Sequence, residues 1–425
     1  MHPVHRTGCF ALLAVLLPAL RAEATPTDQE GKRPIKKQLE EEFSEDTETR
    51  EQPSDDRIVI ERAEQVLSNF VDLGGYFRSG YGRTGAGGPM VAFQAPGAGS
   101  KYRLGNEPET YGELIISKNY YLPGTFGLDQ RRPDGSLKGP IAHAQVRLSF
   151  YNPFSAFGSA EATDVSLPEA WASVGNVFPF APSTKFWAGN RFYRRHDIHI
   201  NDFFYWNVSG GGGGIEDVPL GPGHLAFAWI GWGSTSGLGY LPEPDPENRA
   251  GFSKSTYDLR AYDMPLLGGH VELGLAFSHV VSGIDELGRQ GPKSHGFAAD
   301  VVHTVPAFIS DDGVQKLSVQ YGTGPARTFT AGFETVTLPE GTFIRPEENG
   351  FTRLRLTESF TANFGEYFSL GPVVVFQMDR EGSPSTDKLW VSAGARPTLH
   401  FTRNVSLAVE GGLDWVKDKA ASSEG

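Results

Sequence analysis

Aromatic and ionised side chains recur two residues apart in the first third of this chain. Tyr76 and Arg78 form one such pair, and Tyr111 and Glu113 form another. Residues two apart on a β-strand point to the same face, so each ring would stand beside a charged group. A sugar packs its C–H face on an aromatic ring and bonds its hydroxyls to ionised groups, so the spacing fits carbohydrate binding. The same tyrosines would suit the interfacial girdle of a membrane barrel, and the spacing leaves both interpretations open.

A second concentration of polar chemistry lies at residues 187–202. Its histidines and aspartates suggest a metal site, but His196 and His199 would face opposite sides of a strand. We therefore interpret them as hydrogen-bonding groups of a polar loop. The glycine pattern at residues 80–85 matches a dinucleotide-binding loop, but the Gly-Gly-Pro sequence after it cannot open the helix that such a site requires. We predict no catalytic residue, metal or cofactor.

The first 24 residues predict a secretory signal peptide, with Arg6 before an apolar stretch and a cleavage site at Ala22-Glu-Ala24. Residues 25–70 are acidic and interrupted by proline. They are interpreted either as a solvated extension or as a short periplasmic helix that associates across subunits. The net charge of −13 argues against nucleic-acid binding, which needs a basic face. Residues 71–425 form the remaining, β-rich unit.

We expect the polar residues described above to lie on short strands in which apolar side chains alternate with small or polar ones. Leu273, Leu275 and Phe277 alternate with small or polar residues, which gives the strand one apolar face and one polar face. The pattern repeats over about 350 residues with no apolar run of 18 residues. A soluble sandwich would show the same alternation. The export signal favours an all-β, transmembrane antiparallel β-barrel, since a closed barrel leaves no backbone unpaired in lipid.

Three segments resemble the maltoporin (sugar porin) family. Residues 71–85 are similar to its mature start, residues 101–114 to its second strand, and residues 187–210 to the strand and inward-folded loop that narrows its channel. The resemblance implies a homotrimer of 18-stranded barrels in the outer membrane of a Gram-negative bacterium. It implies passage of maltose and maltodextrins along an aromatic slide and a polar track, with no enzyme activity. Position by position, it assigns Tyr76, Tyr111 and Phe204 to the slide and Arg78, Arg103, Glu113, Arg195, Asp197 and Asp202 to the track.

The chain also departs from the family pattern. Phe204 falls where the family has a constriction tyrosine, so the ring is kept and the hydroxyl is lost, and a later slide phenylalanine falls on Leu317. The sequence ends at Gly425, before about three further strands of the family, so we expect an incomplete barrel or a smaller closed barrel. Two alternative functions stay open: a general diffusion porin without sugar affinity, and a secreted carbohydrate-binding β-protein.

Overall fold

The computed structural model describes the β-rich unit with gaps. The described residues are 11–15, 71–85, 87–88, 90, 92–121, 139–153, 163–234, 252–281, 293–338, 341–345, 349–382 and 387–418. The predicted extension at residues 25–70 lies outside the described residues, as does most of the predicted signal peptide. Both stay predictions.

The described residues form twenty strands and two short 3-10 turns. The strands are β1 (Ala11–Val15), β2 (Asp72–Ser79), β3 (Glu109–Tyr121), β4 (Ile141–Pro153), β5 (Asp164–Gly175), β6 (Lys185–Arg191), β7 (His196–Ile198), β8 (Phe203–Trp206), β9 (Gly210–Leu220), β10 (Gly223–Ser234), β11 (Phe252–Leu266), β12 (Gly269–Val281), β13 (Ser294–Pro306), β14 (Val314–Thr323), β15 (Glu334–Leu338), β16 (Gly341–Arg345), β17 (Thr352–Phe364), β18 (Phe368–Arg380), β19 (Lys388–His400) and β20 (Ser406–Asp418).

Sixteen of these strands lie side by side in one antiparallel sheet. The order follows the chain from β2 at one end to β20, and β1 pairs with the outer edge of β20. The β7–β8 and β15–β16 hairpins are separate from this sheet. The predicted all-β, antiparallel barrel fold is confirmed. Among the described residues, no helix has the length and apolar character to cross a membrane.

The sheet sorts its side chains onto two faces, as the alternation predicts. Leu273 and Leu275 of β12 are exposed on the outer face, whereas Asp258 and Arg260 of β11 are buried on the inner face. Leu317 is a correction: it faces outward, because its neighbour Ser318 is buried inside, so it cannot belong to a slide in the channel. An apolar outside and a polar inside are the arrangement of a barrel that spans lipid around a polar lumen.

The connections between strands differ in length at the two ends of the sheet. One end has short turns at residues 221–222, 267–268 and 365–367, and its one long connection is residues 122–140, between β3 and β4. The opposite end has the longer connections, such as residues 192–209 and 324–351. Membrane barrels have short turns on the periplasmic side and long loops on the outside, so this difference orients the molecule.

Two long connections fold back into the barrel. We call residues 192–209 the first inward segment and residues 324–333 the second inward segment. The N–H of Asn207 donates to the Phe329 carbonyl at 2.8 Å, and the N–H of Ala331 donates to the Asn207 carbonyl at 3.3 Å. The first inward segment contributes seven residues to the interior cluster of buried apolar residues: Tyr193, Ile198, Ile200, Phe203, Tyr205, Trp206 and Val208.

A third segment, residues 92–107, joins the two ends of the sheet from the inside, and we call it the bridging segment. It follows β2 and contacts the last two strands. The Tyr102 hydroxyl lies 3.1 Å from Ser392 Oγ in β19. The N–H of Leu104 donates to Glu410 Oε1 of β20 at 2.8 Å. The segment thus links strands that are far apart in the sheet order.

Candidate functional site

The first part of the candidate site lies on the inner face of β2 and β3. The rings of Tyr76 and Tyr111 are 6.2 Å apart, and the Arg78 guanidinium lies 4.8 Å from the Tyr111 ring centre. Arg78 also pairs with Glu109 at 2.5 Å and with Glu107 at 3.4 Å. Phe77 and Leu114 are exposed on the outer face of the same strands. Two rings and a cation therefore form one patch that faces the lumen.

The second part continues along β3, β4 and β5. The Tyr111 hydroxyl donates to Glu113 at 2.6 Å. Glu113 accepts a hydrogen bond from Arg147, which also donates to Glu169 at 2.6 Å. Residues on adjacent strands are about 5 Å apart, so a row of this kind holds its charges in fixed positions. Glu113 thus lies between a tyrosine hydroxyl and an arginine.

The third part is an arginine held between two phenylalanines of the first inward segment. The Arg195 guanidinium lies 3.7 Å from the ring centre of Phe192 and 4.6 Å from that of Phe204. The guanidinium of Arg147 lies 5.2 Å from the ring centre of Phe192, so Phe192 contacts both arginines. Burial and the nearby charge of Arg147 lower the pKa of Arg195. Among the described residues, no carboxylate oxygen lies within 4.0 Å of Arg195. The two rings hold its guanidinium in position, and its N–H donors are left available.

The fourth part links the bridging segment to the first inward segment. Arg103 pairs with Glu107 at 2.9 Å and with Asp202 at 3.7 Å. Burial acts to lower the pKa of Arg103, but the hydrogen bond that Arg103 donates to Glu107 and the charges of Glu107 and Asp202 outweigh it, so the pKa is raised. Asp202 has a left-handed backbone (φ 51°), a conformation that aspartate tolerates better than most residues, and it turns the chain into β8. Because Glu107 also pairs with Arg78, the charges form one chain across the lumen.

Asp197 lies on the short-turn side of the first inward segment. It is exposed and lines a cavity of about 520 Å³ together with His199, Lys316 and Arg396. Burial and then the charges of Arg103 and Arg396 lower the pKa of His199. This cavity is a vestibule on the short-turn side of the first inward segment.

Contacts with the barrel wall hold the first inward segment in place. Trp206 Nε1 donates to Asp258 at 3.0 Å, and His196 Nε2 lies 3.0 Å from Glu272 Oε1. The Tyr205 carbonyl accepts a hydrogen bond of 2.9 Å from Arg355. Within the part of the chain that the structure describes, no three His, Cys, Asp or Glu side chains converge as metal ligands would.

The structure brings eight of the nine predicted residues into one continuous lumen surface, with Asp197 below it. Sequence reasoning missed Arg147, Glu169 and Phe192, which join the parts. The alternation of β4 contains the signal for Arg147, since Val146 and Leu148 on either side of it face outward. No pattern in the sequence indicates that Phe192 would stack between two arginines.

The fold and the lumen define a membrane-spanning β-barrel with a narrowed polar channel. The sequence model of the LamB porin family matches residues 71–425, and the chain belongs to this family. The resemblance to the sugar porins is thereby confirmed. The protein is an outer-membrane porin, and porins are transport channels. The alternative of a secreted soluble protein is not retained.

The structure is also similar to solved porins. One is Salmonella typhi OmpF in complex with daunomycin, at 9% identity over 82% of this chain and 97% of that chain, with a TM-score of 0.43. Another is a mutant of the Rh. blastica porin, at 11% identity over 81% of this chain and 100% of that chain, with a TM-score of 0.34.

Proposed function

We propose that this porin is sugar-specific and gives facilitated diffusion to maltose, maltodextrins or related oligosaccharides. One observation carries the proposal: rings and ionised groups lie beside one another in a continuous series from Tyr76 and Arg78 to Arg195 and Phe204. A general diffusion porin needs charges in its lumen but has no use for exposed rings beside them. The ring of Tyr76 is 43% exposed, so it is available to a solute.

The chemistry of a sugar fits this surface. One face of a pyranose packs on a ring, while its hydroxyls bond to arginine and carboxylate groups, whose hydrogen bonds are the stronger kind. Neighbouring groups of the same type let a sugar exchange one partner for the next as it moves. Binding at several weak sites permits exit as well as entry, as conduction requires.

The family resemblance supplies the setting of the proposal. We infer a homotrimer in the outer membrane of a Gram-negative bacterium, with the short turns in the periplasm. No catalytic residue, metal or cofactor is part of the proposed transport. The signal peptide at residues 1–24 and the extension at residues 25–70 belong to the same proposal.

Block of single-channel current by maltodextrin in a planar bilayer tests the function. We expect wild-type protein to be blocked and Arg195→Ala to bind sugar more weakly by about 1–3 kcal/mol, the range for a hydrogen bond to a charged group. Conductance should stay near normal, because Arg195 stacks on rings rather than pinning the segment to a carboxylate. Arg403→Ala, in an exposed turn, is the matched control. Open current that maltodextrin leaves unchanged would identify a general diffusion porin.

A further inference from the structure

An apolar depression of about 390 Å³ lies on the outer face of strands β10–β14. Its middle row consists of Tyr257, Phe277 and Phe297, which are directly opposite one another on three adjacent strands. The rings of Phe277 and Phe297 are 4.9 Å apart, and Phe297 is 63% exposed. These rings form the upper wall of the depression, toward the long-loop end of the barrel.

The row below supplies the floor. Leu275, Ala299 and Tyr321 are opposite one another in the register of β12, β13 and β14. Ala299 is exposed between two large side chains, so its short side chain creates a dip in the surface. Leu259 closes the row on the β11 side. A ring girdle alone is common in membrane barrels, but the dip gives this one a shape that an acyl chain fills.

The row above is polar and can carry positive charge. Ser255, His279 and His295 are directly opposite one another, two residues nearer the long loops than the aromatic row. Lys293 lies immediately before β13 and is exposed. On the outer face of this half of β10–β14, the described residues include no carboxylate. Within this described part of the outer face, the imidazole and ammonium N–H groups have no carboxylate beside them.

We propose that this surface binds one phosphate-bearing membrane lipid on the long-loop side of the bilayer. The acyl chain lies over Ala299 and below the aromatic row, and the phosphate contacts His279, His295 and Lys293. Aromatic girdles mark the boundary between hydrocarbon and headgroups, so the imidazoles and the Lys293 ammonium above the rings are at the height of lipid phosphates. Hydrogen bonds from such donors to phosphate are charge-assisted and favour an anionic headgroup over a neutral one.

Native mass spectrometry of the purified full chain in detergent tests the proposal. The probes are dipalmitoyl phosphatidic acid and dipalmitoyl glycerol, which share acyl chains and differ in the phosphate. We expect wild-type protein to retain phosphatidic acid more strongly. His279→Ala combined with His295→Ala should weaken phosphatidic acid binding about tenfold and leave dipalmitoyl glycerol unchanged. Ala299→Phe, which fills the dip, should weaken both lipids.

Ala393→Phe is the matched control, because Ala393 is an exposed, outward-facing alanine on β19, away from the depression. Each variant is first checked for a folded band that shifts on heating. If the double histidine variant does not fold, His295→Gln carries the same comparison at an exposed position. Equal phosphatidic acid binding by the histidine variant and wild type would overturn the phosphate contact. Equal effects of Ala299→Phe and Ala393→Phe would overturn the groove.

Discussion

At the scale of single residues, the lumen depends on arginines that are placed by rings as well as by carboxylates. Arg195 lies against Phe192 and Phe204, whereas Arg78 combines a ring contact with carboxylate partners. A cation over a ring is stabilised by about 0.5–2 kcal/mol and keeps its N–H donors free at the edge. Such an arginine is rigid before a solute arrives, so under the proposed function less entropy is lost when a sugar binds.

Replacement of Phe204 by tyrosine should tighten maltodextrin binding modestly. The change restores one hydroxyl on a half-buried ring beside Arg195, and a hydrogen bond contributes about 1 kcal/mol, or roughly fivefold in affinity. Block of single-channel current measures the effect, with Phe360→Tyr in the vestibule as the control. An unchanged or weaker block would show that Phe204 does not face the sugar path.

Acidification should make the channel less cation-selective through His199. Its folded pKa is lowered from 6.5 by burial and by Arg103 and Arg396, so the neutral form is favoured in the native protein. The neutral imidazole therefore contributes to the stability of the folded protein above the ordinary imidazole pKa. This contribution is lost as the pH falls below that pKa. Protonation then adds a positive charge to the vestibule that holds Asp197 and Arg396.

The reversal potential in a salt gradient at pH 7.5 and pH 5 measures this selectivity. His199→Gln should reduce the pH-dependent shift, whereas His303→Gln, which changes a histidine on the outer face, should leave it intact. The same shift in wild type and His199→Gln would assign the titration to another group.

At the scale of elements, the bridging segment depends on a notch made by two glycines. The Tyr102 ring lies where a Cβ on Gly394 would stand 2.3 Å away and a Cβ on Gly412 would stand 2.1 Å away. Burial raises the pKa of Tyr102 to about 12, so its hydroxyl stays protonated and bonded near Ser392. The last two strands and the start of the barrel are therefore coupled through one side chain.

Gly412→Ala should lower the free energy of unfolding by about 1–3 kcal/mol, because the added methyl group displaces the Tyr102 ring. Gly411→Ala is an adjacent control, since a Cβ there meets no atom within 4 Å. Urea unfolding in detergent, followed by tryptophan fluorescence, compares the two variants. Equal destabilisation would mean that loss of glycine, and not contact with Tyr102, is responsible.

The strands could be predicted from the sequence, but the inward segments only in part. Alternation placed Tyr76 and Arg78 on one face because strand geometry is local. The assignment of a slide position to Leu317 was wrong because it rested on the alignment of one residue. The alternation of inward and outward side chains along β14 places Leu317 on the outer face. The second inward segment has no periodic pattern, and Phe329 and Arg327 are buried by contacts with residues distant in sequence.

At the scale of the molecule, the outer face determines where the protein resides. Its exposed apolar residues extend from Leu73 in β2 to Trp415 in β20. We expect folded protein in the outer-membrane fraction, soluble only with detergent, and resistant to unfolding by SDS until heated. Fractionation followed by unheated and heated electrophoresis checks this. Folded mature protein in a detergent-free soluble fraction would contradict it.

The contact between the two inward segments sets an order of events in folding. Asn207 bonds to Phe329 and Ala331, roughly 120 residues later in the chain. Loop closure over this distance is entropically costly until the six intervening strands of the sheet, β9–β14, are paired and bring the ends together. We therefore expect the wall to assemble before the constriction, with a pore that is wider at that stage than in the folded protein. The narrowing of the channel by the two inward segments is then the last step of folding.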